Sequence, residues 1–85
     1  MDAGQLRNAL RIVARILEAG EATHPPDAPN HWLNLPAREH AAQAIAHLDK
    51  FLVGANADED HLAHALTRLL LAVELRAREL IREHD

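Results

Sequence analysis

Cysteine is absent from this 85-residue chain. No disulfide framework and no thiolate metal site can form, which fits a reducing, cytoplasmic setting. Serine is absent as well, so both a serine triad and a cysteine nucleophile are excluded. Aromatic residues make up 2% of the chain and are confined to Trp32 and Phe51. Positive charge is in deficit: nine Lys+Arg face thirteen Asp+Glu, for a net charge of −4. That balance weighs against a duplex nucleic-acid partner, because phosphate attraction dominates such affinity. No apolar run approaches the roughly 18–20 residues of a membrane span. The acidic N-terminus does not read as a signal peptide, and there is no Gly-rich phosphate loop.

What remains is helix-forming material. Alanine and leucine carry most of the 48% hydrophobic content, and seven histidines accompany them. The length suits a single domain over residues 1–85. A chain of this mass buries only about 63% of its unfolded surface, so a lone copy is expected to be marginally stable. The spacing predicts a first helix over about 3–19. Asp2 and Gln5 sit in capping-box positions, and Leu6, Ala9, Leu10, Val13, Ile16 and Leu17 form one face. Gly20 suits the left-handed residue that ends a helix. Residues 21–35 hold Pro25, Pro26 and Pro29 and are expected to be a loop, pinned to the body by Trp32. A second helix is expected over about 36–53, opened by Pro36 and stopped by Gly54. A third is expected over about 57–83, capped by Asn56 with Glu59 or by Asp58 with His61, the Asn56 box being preferred. The fold class is all-α: a three-helix unit with a long antiparallel hairpin of helices 2 and 3.

Both long helices carry two seams. On helix 3 the expected core stripe is Leu62, Leu66, Leu69, Val73 and Leu80. His61, His64, Arg68, Leu71 and Leu75 lie roughly opposite, at heptad-like spacing. On helix 2, Ala41, Ile45, Leu48 and Leu52 form the main stripe, with His40, Ala44, His47 and Phe51 beside it. A helix apolar on two sides is normally buried on two sides. The expectation is therefore a homo-oligomeric helical bundle with the second seams at the subunit contact. A seam polar at one end and apolar at the other is a place for a small ligand between helices or subunits.

The histidines also invite a metal reading. His61 and His64 are three apart on one helical face, and Asp58 offers a carboxylate. With His47 entering from the neighbouring helix, the set suits a divalent ion such as Zn, Mn or Ni. Ligand-free histidines making ordinary hydrogen bonds are the competing reading. Arg7, Arg11 and Arg15 recur every four residues and read as a solvated face. The acidic run Asp58-Glu59-Asp60 reads chiefly as helix capping.

Several segments occur in a familiar order: Leu10 to Gly20, Asn30-His31-Trp32, Ala46-His47-Leu48, Gly54, Asp58, His61-Leu62-Ala63-His64-Ala65 and Leu70 to Leu75. Together they resemble a small phage-associated family, the N-terminal domain of dATP/dGTP diphosphohydrolase, over roughly residues 6–75. The His-Leu-Ala-His-Ala element is the most specific part. The resemblance implies a purine-nucleotide ligand, with His47, Asp58, His61 and His64 on motif positions. The chain departs from the family where a Tyr/Gly-rich stretch is replaced by 21–26, at Ala46 in place of Arg, and at Arg68 in place of Asn. All-α pyrophosphatases that hold Mg²⁺ on Glu-x-x-Glu and Glu-x-x-Asp pairs make a poor match, because no Glu-x-x-Asp occurs here.

Three readings follow. The first is a small phage-type protein that holds a purine nucleotide or nucleotide-derived signal without turning it over, in the cytoplasm of the host if phage-encoded. Its ligand residues are Trp32 as a stacking face, then His47, Asp58, His61, His64 and Arg68. The second is a metal-dependent nucleotide pyrophosphohydrolase using His61, His64 and Asp58 as metal ligands. The third is a helical oligomerisation module without ligand.

Overall fold

The computed structural model describes residues 1–23, 31–55 and 58–84. Among these, three α-helices occur: α1 over Arg7–Thr23, α2 over Ala37–Leu52 and α3 over His61–His84. Short 3-10 turns at Ala3–Leu6 and His31–Asn34 precede α1 and α2. The fold is all-α, as expected. Contacts run in opposite chain directions, from His47–His61 to His40–Arg68, so α2 and α3 form an antiparallel hairpin. The α1 helix lies mainly against α3.

The element boundaries follow from local hydrogen bonding. The Gln5 side chain accepts the Asp2 N–H at 3.0 Å, which opens the first turn as a capping-box half. The α1 helix runs on to Thr23 instead of ending before Gly20, whose backbone is not left-handed. A glycine inside a helix costs only about 1 kcal/mol relative to alanine, less than is needed to stop one. Pro36 is extended (φ −68°, ψ 155°) and sits just outside α2. Gly54 ends the α2 region with φ +69°, the left-handed step that glycine takes without a Cβ penalty. The α3 helix begins at His61, not near residue 57. Asp60 provides the cap: its Oδ1 accepts the Ala63 N–H at 3.0 Å. Residues 58–60 are therefore outside the helix. Asn56, the preferred cap from sequence, lies outside the described residues, as do Pro25, Pro26, Pro29 and Asn30.

The interior reverses the expected use of the seams. Buried residues are Val13, Ala44, Ala63 and Ala65 together with His40, His61 and Thr67. His64, Arg68, Leu71 and Leu75 are half-buried. The histidine-bearing seams of α2 and α3 thus face each other inside the hairpin. The leucine stripe is the outer one, with Leu66 39%, Leu69 40% and Val73 63% exposed. On α2, Ile45 and Leu52 are likewise exposed. The reason is contact distance plus hydrogen bonding. Ala44 and Ala65 are small and almost wholly buried, and the pairs His40–Arg68 and His47–His61 satisfy each other between α2 and α3. Leucines at those positions would hold the helices apart. Thr67 joins this interior by donating its hydroxyl back to the Ala63 carbonyl at 2.9 Å.

Candidate functional site

Two polar constellations lie along the α2/α3 contact. The first is at the α3 N-terminus. His47, from the C-terminal half of α2, places Nδ1 3.0 Å from His61 Nδ1. One of the two nitrogens must carry a proton for this contact to be a hydrogen bond. The His64 ring stacks on His47, with centroids 5.3 Å apart and planes 30° apart. Glu59, in the segment leading into α3, closes the group. Its Oε2 is 3.8 Å from His61 Nδ1 and its Oε1 is 3.9 Å from His64 Nε2. His61 is buried, while His64 and Glu59 are each about one-third exposed, so the cluster has one dry wall and one wet one. The other nitrogen of His61, Nε2, is buried without a hydrogen-bond partner.

Burial holds the His47 imidazolium below the ordinary histidine range, and repulsion from His64, His61 and Lys50 adds to the effect. Glu59 opposes it in part. A folded-state pKa below the unfolded value of 6.5 means that protonation favours unfolding. The His47 contribution to stability is thus complete above about pH 6.5 and is lost as pH falls through the folded-state value. Chelator-treated protein is expected to melt at a lower temperature at pH 5.5 than at pH 7.5, and His47→Gln to narrow the gap. Equal gaps in native and variant melts would contradict this account.

The second constellation starts two turns back along α2, toward its N-terminus. His40 is fully buried. Its Nε2–H donates to the Trp32 carbonyl at 3.0 Å, which leaves Nδ1 bare to accept from the Arg68 guanidinium at 3.1 Å. The two bonds fix the tautomer. Arg78 lies 5.3 Å from the Trp32 ring centroid and pairs with Glu74 at 2.7 Å. Trp32 therefore does anchor its segment to the hairpin, through its carbonyl and its ring.

The sequence-derived residues divide accordingly. His47, His61 and His64 come together. Arg68 is one turn beyond His64 on α3 and is engaged with His40. Trp32 is in the second constellation, with a ring face covered by Arg78. Asp58 is exposed and stands outside the group of potential ligands formed by His47, Glu59 and His61. Glu59 takes the carboxylate position expected of Asp58. Its reading as the Glu of an Asn56 capping box concealed that role, and the available signal was its place two residues before His61. His40 also escaped notice as a structural hub, although it lay on the second seam of α2.

Two concave surfaces among the described residues lie elsewhere. One open hollow of about 710 Å³ is lined by Leu33, Pro36, Leu75, Arg78 and Arg82 among others. An apolar groove of about 440 Å³ runs between α1 and α3, past Ile12, Val13, Leu62, Leu66 and Leu69. Neither is lined by His47, His61 or His64. Converging polar chemistry identifies the candidate site better than hollow size does here, because both hollows are open to solvent and lined mainly by apolar or solvated side chains. No described helix is long and apolar enough to cross a membrane.

Comparison with known proteins gives one result. The family model described as "dATP/dGTP diphosphohydrolase, N-terminal" matches residues 5–83, which takes in α1, α2, all but the last residue of α3 and both constellations. No curated protein and no solved structure matches the chain.

Proposed function

The chain belongs to the family of dATP/dGTP diphosphohydrolase N-terminal domains, and from that membership we propose that it holds a purine deoxynucleotide at the polar seam between α2 and α3. The observation that carries the reading is the meeting of His47, His61 and His64 on one spot, with Arg68 one turn further along. His64 and Arg68, both partly exposed, face the phosphates, with the partly exposed His47 and the buried His61 as the wall behind them. Trp32 supplies a stacking face to the base once Arg78 yields it. The ligand is held and not turned over, in the manner of a small phage-type cytoplasmic protein. In support, the grouping of potential metal ligands among the described residues contains one carboxylate, whereas Mg²⁺-held pyrophosphate chemistry rests on several.

Calorimetric titration of chelator-treated protein with dATP and dGTP tests this. Binding of at least one is expected, and His64→Ala and Arg68→Ala are each expected to weaken it roughly tenfold or more, about 1.4 kcal/mol. Native affinity in both variants would move the site away from the seam. Release of pyrophosphate on adding a divalent ion would favour the second reading, a metal-dependent hydrolase, for which the His47–Glu59–His61 grouping is the supporting feature.

The leucine stripe supports a second element of the proposal, that the chain acts as a homo-oligomer. A compact monomer of 9.4 kDa has about 5,000 Å² of accessible surface by size scaling. This chain has 6691 Å². Its radius of gyration is 14.2 Å, against roughly 12 Å for a compact domain of this length.

A further inference from the structure

We propose that His47, Glu59 and His61 form a binding site for one borderline divalent transition-metal ion, zinc being the best fit, with an open coordination position beside His64. The inference is independent of nucleotide binding and rests on geometry and donor chemistry. Ligand atoms of the three side chains all lie within 4.8 Å of one another. A tetrahedral zinc with bonds of about 2.0–2.1 Å separates its ligands by roughly 3.3 Å. The observed separations of 3.0 Å between the two Nδ1 atoms and 3.8 Å from His61 Nδ1 to Glu59 Oε2 bracket that value. The third separation, His47 to Glu59, is within 4.8 Å, so the donors reach one ion with side-chain movement of up to about 1.5 Å and no change of backbone.

The burial of His61 points the same way. His61 is 3% exposed, and its Nε2 is buried without a hydrogen-bond partner. All the polar contacts found for this ring therefore run through Nδ1, into the cluster. Burying an imidazole to contact another imidazole brings little net gain, because both must be desolvated. An ion shared by the two and neutralised in part by Glu59 offsets that cost. Two imidazoles and one carboxylate suit zinc, nickel or cobalt better than magnesium or calcium, which prefer all-oxygen shells. Three protein ligands leave a fourth position, as in open zinc sites. Glu59 and His64 border that position and are partly solvated. A small anion or a phosphate oxygen can enter from solvent there.

The test uses the full, tag-free chain after chelation, without nucleotide. Zinc is titrated by calorimetry, and melting is followed by circular dichroism. Cobalt serves as the spectroscopic probe, since a tetrahedral site with nitrogen and oxygen donors gives it visible absorption. One zinc per chain is expected, with a rise in melting temperature of roughly 10 °C at a hundredfold excess over Kd. Glu59→Gln, at a partly exposed position that should not disturb folding, is expected to weaken zinc binding at least tenfold and to alter the cobalt spectrum. His64→Ala is expected to keep zinc affinity within about threefold, being beside the ion and not on it. The proposal is overturned if zinc neither binds at one equivalent nor raises the melting temperature. It is also overturned if Glu59→Gln binds like the native chain. Zinc binding without nucleotide binding defeats the nucleotide reading alone, and the reverse result defeats the metal site alone.

Discussion

His40→Ala is expected to melt roughly 10 °C or more below the native chain, corresponding to about 2–4 kcal/mol of lost stability. The side chain is fully buried and serves two partners at once, the Trp32 carbonyl at 3.0 Å and the Arg68 guanidinium at 3.1 Å. Alanine removes both bonds, leaves a half-buried cation without this acceptor, and opens a cavity where the two long helices meet. Such losses exceed the worth of the bonds themselves, because the abandoned groups stay desolvated. His40→Gln offers a donor amide and an acceptor carbonyl in similar places, and more than half of the loss should return. Thermal melts of the three proteins at one concentration decide the matter. An alanine variant within about 2 °C of native would show that the bonds are worth no more than surface contacts.

The second large effect concerns mass. The native chain is expected to elute as a dimer or larger in size exclusion with light scattering, at a multiple of 9.4 kDa. The exposed surface exceeds that of a compact monomer of this size by about 1,700 Å², more than the roughly 800 Å² each partner contributes to a standard interface. The α1/α3 groove and the outer stripe of Leu62, Leu66, Leu69 and Val73 form a continuous greasy surface suited to a second copy. The double change Leu66→Glu and Leu69→Glu should drive the mass to that of one chain and lower the melting temperature. A native chain that runs as one copy near 100 µM, with a melt independent of concentration, would defeat the expectation.

Much of the architecture was legible because punctuation and period agreed. Pro36 and Gly54 bracket α2, and the 3–4 spacing of apolar residues marks all three helices. The choice of inner face was not legible. A helical wheel shows that two faces exist, and ranking by hydrophobicity puts leucine inside. The contact was instead set by small Ala44 and Ala65 and by mutually satisfying polar side chains, which no single-helix pattern reveals. The histidine triad was legible as spacing on α3 plus one partner on α2. Its carboxylate was not, because Asp58, Glu59 and Asp60 are consecutive and only the turn into α3 decides which one looks back. Asp60 spends its side chain on the helix end, Asp58 faces solvent, and Glu59 remains.

Trp32 is the chain's lone indole, and there is no tyrosine to compete with its ultraviolet signal. The ring rests on Arg78, fourteen residues beyond His64 and so about 21 Å along the same rod. Its emission therefore gauges the His40–Arg68 end of the hairpin and any base stacked on the ring, while an ion held by His47, Glu59 and His61 sits at the other end. If the hairpin opens like a pair of tongs, the indole loses its guanidinium cover and its spectrum moves. If only the near end rearranges, it stays dark to the event. The molecule thus carries its own optical means of telling an ion bound among the near-end imidazoles from a change at the Trp32 end.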